Sequence, residues 1–435
     1  MPSCSIVRFV AVLSMLLISS VLYAQNTVIG VIDGVYRVSE IYPRYRVSGW
    51  ACAYGLPDSI AVHVWAGGHF VTGATANLAS DGAVANACGS TGTAYRFSIA
   101  LDDFLPQNFG QPIYVYGLSP NGGSNNPLYN AGAFTFPDGI TVNVCGDPMR
   151  IRTGPTMGGG ISSIFWRGKE FVNSDDHGRN FQMAAQFNGV YECYNPTEGG
   201  SLSDGGPANM STTEVFKYSI PDPNEFFTGS YPAFWLRPGE GDFPPVNGNC
   251  GQSGRAALNT TWRSNYLFYK TVTVGYSGLE NVIKVDTSVY IPEAVSSASI
   301  ESFVGYMNRA DFPEVLTFDV TNGTAHTVDD PGAYPYGQTF INRPLILASE
   351  NGDYALGIYN QQLNEAHNPF NPNAGFLVGH YRWNQFPDYG VNDWSAVFDF
   401  GPTNYPYNYF FTDYLIIGTK QHVIDTMNTL HSYLP

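Results

Sequence analysis

Short runs in which apolar and polar residues alternate recur along the whole chain. Tyr45-Arg46-Val47-Ser48-Gly49-Trp50 alternates, as does Ile60-Ala61-Val62-His63-Val64-Trp65, and 95–101 and 112–117 follow the same pattern. Alternation with period two predicts strands with one buried face. Turns rich in Gly, Asp, Asn and Pro separate these runs at the spacing of a small β-sandwich. Further along, β-like runs are predicted at 161–166, 181–187, 266–274, 282–291, 354–359, 394–400 and 409–417. Only 422–433 has helical spacing after the first segment of the chain, through Val423, Ile424, Met427 and Leu430. The expected fold class is therefore all-β. An N-terminal β-sandwich is followed by a unit so long that it needs two large packed sheets, a super-β-sandwich.

The turn-rich Phe136-Pro137-Asp138-Gly139 is read as the joint between two domains. Residues 25–138 form the first and 139–435 the second, which is expected to carry the site. Residues 1–24 read as a signal peptide, with Arg8 before an apolar core at 9–21 and Ala24 at the cut. That core is shorter than a membrane span, and no later stretch is long and apolar enough to be one. The expected location is secreted, extracellular or periplasmic. In such a compartment disulfides form, and Cys52 with Cys88 is the natural pair of the first domain. Cys193 and Cys250 lie in Gly- and Asn-rich loops and could pair, leaving Cys145 free, but the sequence does not decide the pairing of these three.

Composition narrows the partners. Lys and Arg number 20 against 36 Asp and Glu, a net charge of −16, which repels phosphate backbones and excludes a nucleic-acid binder. Charged residues are only 13% of the chain while aromatics are 15%. A surface of rings, amides and hydroxyls suits carbohydrate, an oligo- or polysaccharide. Zinc-type CxxC and HExxH spacings, phosphate loops and nucleophile elbows are missing, so no metal and no cofactor is expected.

Two segments carry resemblances. Ile32-Asp33-Gly34, the strand Val47 to Ala51, Val62 to Gly68, and Pro112 to Tyr116 before Asn126-Pro127-Leu128 resemble an accessory module of secreted bacterial proteins. That implies no catalytic residues there. The run Gly158-Gly159-Gly160-Ile161-Ser162-Ser163-Ile164-Phe165-Trp166-Arg167-Gly168-Lys169-Glu170-Phe171-Val172-Asn173 resembles the opening hairpin of galactose-mutarotase-like proteins. That superfamily implies a super-β-sandwich and includes sugar epimerases and domains of polysaccharide lyases and glycoside hydrolases.

The densest polar cluster, 173–204, follows that hairpin. Glu192 and Glu198 flank an Asn-Pro turn and would be the acid and the base or nucleophile of glycoside cleavage. His177 and Arg179 supply an imidazole that titrates near neutrality and a fixed cation. These four are the expected catalytic residues. Asn195, Asp204 and Trp235 are expected to bind substrate, together with His380, Tyr381, Arg382 and Trp383 of a late ring-rich cluster at 359–394. The two clusters are expected to meet across one cleft. The leading reading is a secreted glycan-cleaving enzyme, a glycoside hydrolase or a polysaccharide lyase. The alternatives are a non-catalytic glycan-binding or surface protein, and a sugar epimerase.

Overall fold

A computed structural model describes residues 27–38, 45–241, 256–328, 339–341, 343–363, 375–382, 390–404 and 406–434, with backbone alone at 339–341 and 377–382. The chain is all-β, as its alternation predicts, with one long helix, Lys420–Tyr433, near its end. By internal contacts it divides into two units. The first comprises the described residues of 1–34, 47–99 and 114–132. The second comprises those of 35–46, 100–113 and 133–435. Phe109 belongs to the second unit because its ring packs edge-on against Tyr218 at 4.0 Å. Arg37 belongs there because it donates to the Pro221 carbonyl at 2.8 Å.

The first unit is built on two four-stranded sheets. One runs Val28–Arg37, Tyr45–Ala53, Ala94–Ala100, Leu78–Ala79. The other runs His69–Thr75, Ala61–Ala66, Ile113–Gly117, Asn126–Pro127. Val47, Val62, Val64, Tyr95, Phe97 and Val115 are buried at alternate positions, as a two-sheet core requires. Gly117 faces Val28 of the other sheet so closely that a Cβ there would sit 2.4 Å from its side chain. Cys52 and Cys88 are bridged and fully buried, joining a strand to the short helix Gly82–Ala87, which Asp81 caps.

In the second unit a four-stranded sheet, Gly139–Val144, Asp147–Thr153, Ile161–Trp166 and Lys169–Glu170, contains the expected hairpin. Its two-residue turn is Arg167-Gly168, with φ of 49° and 81°, the left-handed pair that suits a right-twisted ribbon. Two larger sheets follow. The seven-stranded one has the order Ala233–Phe234, Pro196–Thr197, Gln182–Phe187, Ala298–Asn308, Gly390–Phe400, Gly375–Arg382, Thr339–Ile341. The nine-stranded one has the order Glu214–Asp222, Glu225–Tyr231, Leu267–Val274, Val282–Ile291, Tyr407–Gly418, Ala355–Tyr359, Leu345–Ala348, Glu314–Asp319, Thr324–Thr327. They pack face to face. Phe398 of one meets Phe411 of the other at 4.6 Å, and Phe187 stacks on Tyr266 at 4.5 Å. The helix, capped by Thr419, lays Val423, Met427 and Leu430 against the nine-stranded sheet. No helix among the described residues is long and apolar enough to cross a membrane.

One polar link crosses this interior. Asp413 is fully buried and accepts from Ser302 Oγ at 2.8 Å and Asn360 Nδ2 at 2.7 Å. Burial pushes its carboxyl up to about 7, although the bonds from Asn360 and Ser302 oppose the rise.

Two outcomes are expected. Replacing Cys52 or Cys88 by Ala should cost about 2–4 kcal/mol in denaturant unfolding, because the bridge closes a loop in the unfolded chain. Non-reducing peptide mapping that recovers both as thiols would refute the bridge. For Asp413, the folded chain holds its proton up to about 7, while the unfolded chain releases it near 3.8. The folded state therefore binds more protons in between, and stability falls as pH rises across that window. The loss, on the order of 4 kcal/mol, is complete above about pH 7. Urea unfolding at about pH 5 and about pH 8 should show a drop that is smaller by about 2–3 kcal/mol in Asp413→Asn than in wild type, the remainder coming from Glu301, which burial also pushes up to about 7. Equal drops would place the titrating group elsewhere.

Candidate functional site

The loop after the hairpin is organised by Asp176. Its Oδ1 accepts the backbone N–H of Gly178 at 3.0 Å and of Arg179 at 2.9 Å, and its Oδ2 accepts Arg179 Nε at 3.0 Å. Asp175 lies 3.7 Å from Arg179 on the exposed side. Arg179 is thereby held at 2% exposure. His177 is equally buried. Its Nδ1 is 3.0 Å from the Gly199 carbonyl, which can only accept, so Nδ1 carries the proton. Nε2 is then left buried with no hydrogen-bond partner.

Neighbouring residues complete this cluster. Gln182 spans it, donating to the Gly178 carbonyl at 2.6 Å and accepting from Gly199 N–H at 2.6 Å. The Trp235 indole lies over Gly178, where a Cβ would come within 2.6 Å of the ring. The Trp235 backbone N–H donates to the Asn195 carbonyl at 2.8 Å. Asp204 accepts from Ser201, Thr212 and Arg237, the last at 2.7 Å. Burial opposes its ionisation, but these hydrogen bonds outweigh burial and hold its carboxyl below the usual value. Arg237 in turn stacks over the exposed Trp262 ring at 4.4 Å. His177, Arg179, Asn195, Asp204 and Trp235 are thus brought into one loop cluster.

The two glutamates are not brought to one cleft. Glu192 is half-buried and accepts from Asn195 Nδ2 at 3.2 Å. Glu198 is 1% exposed and lies between the large sheets. Both its oxygens are 2.7 Å from Lys270 Nζ, which also donates to the Gly159 carbonyl at 2.9 Å. Glu198 Oε2 accepts Met183 N–H as well, at 3.1 Å. Burial pulls the Lys270 ammonium below its ordinary value, and the Glu198 charge opposes that fall. With its oxygens engaged and no surface, Glu198 sits as the anion of a buried ion pair. Its partner comes from a strand 72 residues away, which no local motif reveals.

In the late cluster, Tyr359 and Trp394 are fully buried core residues, Trp394 packing on Phe181 at 5.1 Å. The segments 173–204 and 359–394 therefore meet inside the core at this point. His380, Tyr381 and Arg382 stand in register with Asn392, Val391 and Gly390. Trp383 and Cys250 lie outside the described residues. Cys193 is disulfide-bonded, and Cys145 is a free thiol.

Sequence reasoning missed the outer face of the seven-stranded sheet. Phe181, Met183, Phe187, Ile300, Phe303, Trp394 and Phe398 occupy its inner face. The residues between them, Gln182, Ala184, Glu301, Ser395 and Val397, therefore point the other way. Glu301 stands opposite Ala184 on one side and Val397 on the other. It has no hydrogen-bond partner among the described residues, and only small or apolar side chains flank it in register. Though half-buried at the surface, it is desolvated enough that its carboxyl is pushed up to about 7. Ser395 Oγ nearby is buried without a partner. Among the described residues no group of three or more His, Cys, Asp or Glu could hold a metal ion.

No protein-family model and no curated protein matches the chain. Solved structures do. An aldose epimerase homologue from C. elegans is 11% identical, covering 65% of this chain and 98% of its own, with a TM-score of 0.30. A heparan sulfate lyase from Pedobacter heparinus is 10% identical over 63% of this chain, with a TM-score of 0.30. An α-mannosidase from Enterococcus faecalis is 9% identical over 78%, with a TM-score of 0.35. The matches span 33% and 35% of the lyase and the mannosidase.

The ion pair yields a direct test. Glu198→Gln and Lys270→Met should each cost about 3–5 kcal/mol, since either leaves a buried group unpaired. The double replacement should cost less than the sum. A Glu198→Gln protein that melts like wild type but has lost its activity would return Glu198 to the chemistry.

Proposed function

We propose that the protein is a secreted glycan-cleaving enzyme whose acid/base group is Glu301. The observation that carries this reading is a partly exposed carboxyl with only Ala184 and Val397 beside it in register, which burial pushes up to about 7, near the pH at which proton transfer is most effective. Gln182 ties that face to the loop bearing His177 and Arg179. Arg179, buried against Asp176, would position that loop, and the partly exposed Trp235 would offer a ring face there. Glu301 and Asp399 are diagonal neighbours on the same face, since Val397 opposes Glu301 and Asp399 opposes Ser299. Such diagonals lie roughly 7–8 Å apart. That is a separation of strand positions, and it puts a second carboxyl, as two-carboxylate hydrolysis requires, on the same face as Glu301. Hydrolysis therefore leads, with Glu301 as acid and Asp399 as base. The resemblance of the 158–173 hairpin to galactose-mutarotase-like proteins agrees with a carbohydrate substrate. The export signal and the attached sandwich suit a polymer.

The purified protein should be screened on polysaccharides, with reducing ends and unsaturated uronates read in parallel. On the best substrate Glu301→Gln should lose roughly 10²–10⁴ in kcat while melting like wild type. If Glu301 is the general acid, kcat should fall as pH rises through about 7. Full activity in Glu301→Gln would sink the assignment. Products absorbing as unsaturated uronates would replace hydrolysis by elimination.

A further inference from the structure

The first unit carries a feature that the chemistry above does not use. A groove of about 530 Å³ crosses the sheet containing Ala61–Ala66 and Ile113–Gly117. That volume is in the range of ligand sites rather than of surface roughness. Alternation explains its lining. Val62, Val64, Ala66, Ile113 and Val115 point into the sandwich at 1% exposure or less. His63, Trp65, Tyr114 and Tyr116 must then stand on the opposite face, and all four line the groove. Trp65 is propped edge-on between Phe70 at 5.8 Å and Tyr116 at 6.5 Å, and Phe70 also braces His63 at 4.9 Å. The rings are held in place yet remain accessible, with Phe70 52% and Tyr114 36% exposed. A side chain at Gly68 would meet nothing within 4 Å, so the adjoining turn leaves the groove unobstructed.

The polar groups fix the ligand class. His63, Asn125 and the tyrosine hydroxyls supply hydrogen-bonding atoms. Asn125 Oδ1 is occupied by Ser119 N–H at 2.9 Å, which leaves its amide N–H groups to donate. Among the described residues no Asp, Glu, Lys or Arg lines the groove. A uronate or sulfate would find no countercharge there. A neutral pyranose has what the site offers to match: an apolar C–H face for the rings and a rim of hydroxyls for the amide, imidazole and phenols. We propose that this groove binds neutral oligosaccharide, making the first unit a glycan-binding module with its own site. This extends the carbohydrate reading to a second place and stands or falls on different residues.

The test uses the full-length protein in native gels cast with galactomannan, xyloglucan or hydroxyethylcellulose, and with alginate as the anionic probe. Retardation is expected in at least one neutral gel. Trp65→Ala and Tyr116→Ala should weaken it at least about tenfold while melting like wild type. Tyr114→Ala, at an exposed position that cannot disturb the core, should weaken it less. Glu301→Gln should be retarded like wild type whether or not it is active, so a failed catalytic assignment leaves this result intact. The proposal is overturned if no neutral gel retards the wild type, or if the ring variants migrate as it does. Retardation only in alginate overturns it too, as does sedimentation showing a dimer that Trp65→Ala dissociates.

Discussion

The second unit depends on one ion pair. Lys270 and Glu198 are both essentially without solvent contact, and taking two charges out of water is costly. The cost is offset because every hydrogen-bonding need is met from a different part of the fold. Lys270 comes from the nine-stranded sheet, Glu198 follows a strand of the seven-stranded sheet, and Gly159 closes the hairpin sheet upon both. The glycine run at 158–160 serves this closure. Gly158 has φ of 57°, and a Cβ there would stand 2.0 Å from the Glu198 carbonyl. The turn that opens the hairpin is thus the place where backbone wraps a buried charge.

That packing also determines which way the site faces. The strand Ala298–Asn308 carries a bulge between Glu301 and Phe303. At a bulge two successive residues oppose one, so the alternation slips by one position. Ser302 and Phe303 consequently both turn inward, Ser302 to Asp413 and Phe303 beneath Lys270. Glu301 keeps the outward position. The interior polar link and the outward carboxyl are two results of the same local irregularity.

The same bulge explains what could be read from the sequence. Regular alternation over 282–291 matched the strand Val282–Ile291, and helical spacing over 422–433 found the helix Lys420–Tyr433. The strand Ala298–Asn308 was missed because its pattern of buried residues breaks step at the bulge, and Glu301 was missed with it. Polar density did find the loop cluster, since Asp176, His177, Arg179 and Asp204 are close in sequence and in space. It failed for Glu198, because the lysine that claims it lies on another sheet. Local clustering reports loops well, whereas a site on a sheet face is assembled from strands far apart in the chain.

The surplus of rings requires the same distinction. From composition alone, aromatics at 15% suggest a sugar-binding surface spread over the molecule. In the second unit many of the largest rings do not serve that purpose. Trp394, Tyr266, Phe181 and Phe187 are buried and fill the broad space between the two large sheets, while Trp166 is buried on the hairpin sheet and Tyr359 under the helix Lys420–Tyr433. In the first unit the sandwich is small, and valines with a few rings suffice to fill it. Trp65, Tyr114 and Tyr116 are not needed inside and stand on the outer face, where apolar area exposed to water is a cost to the free protein. A ring that packs a core is accounted for by stability. A braced ring on an open face is accounted for by what it meets, and Trp65, Tyr114 and Tyr116 of the first unit's groove are rings of that kind.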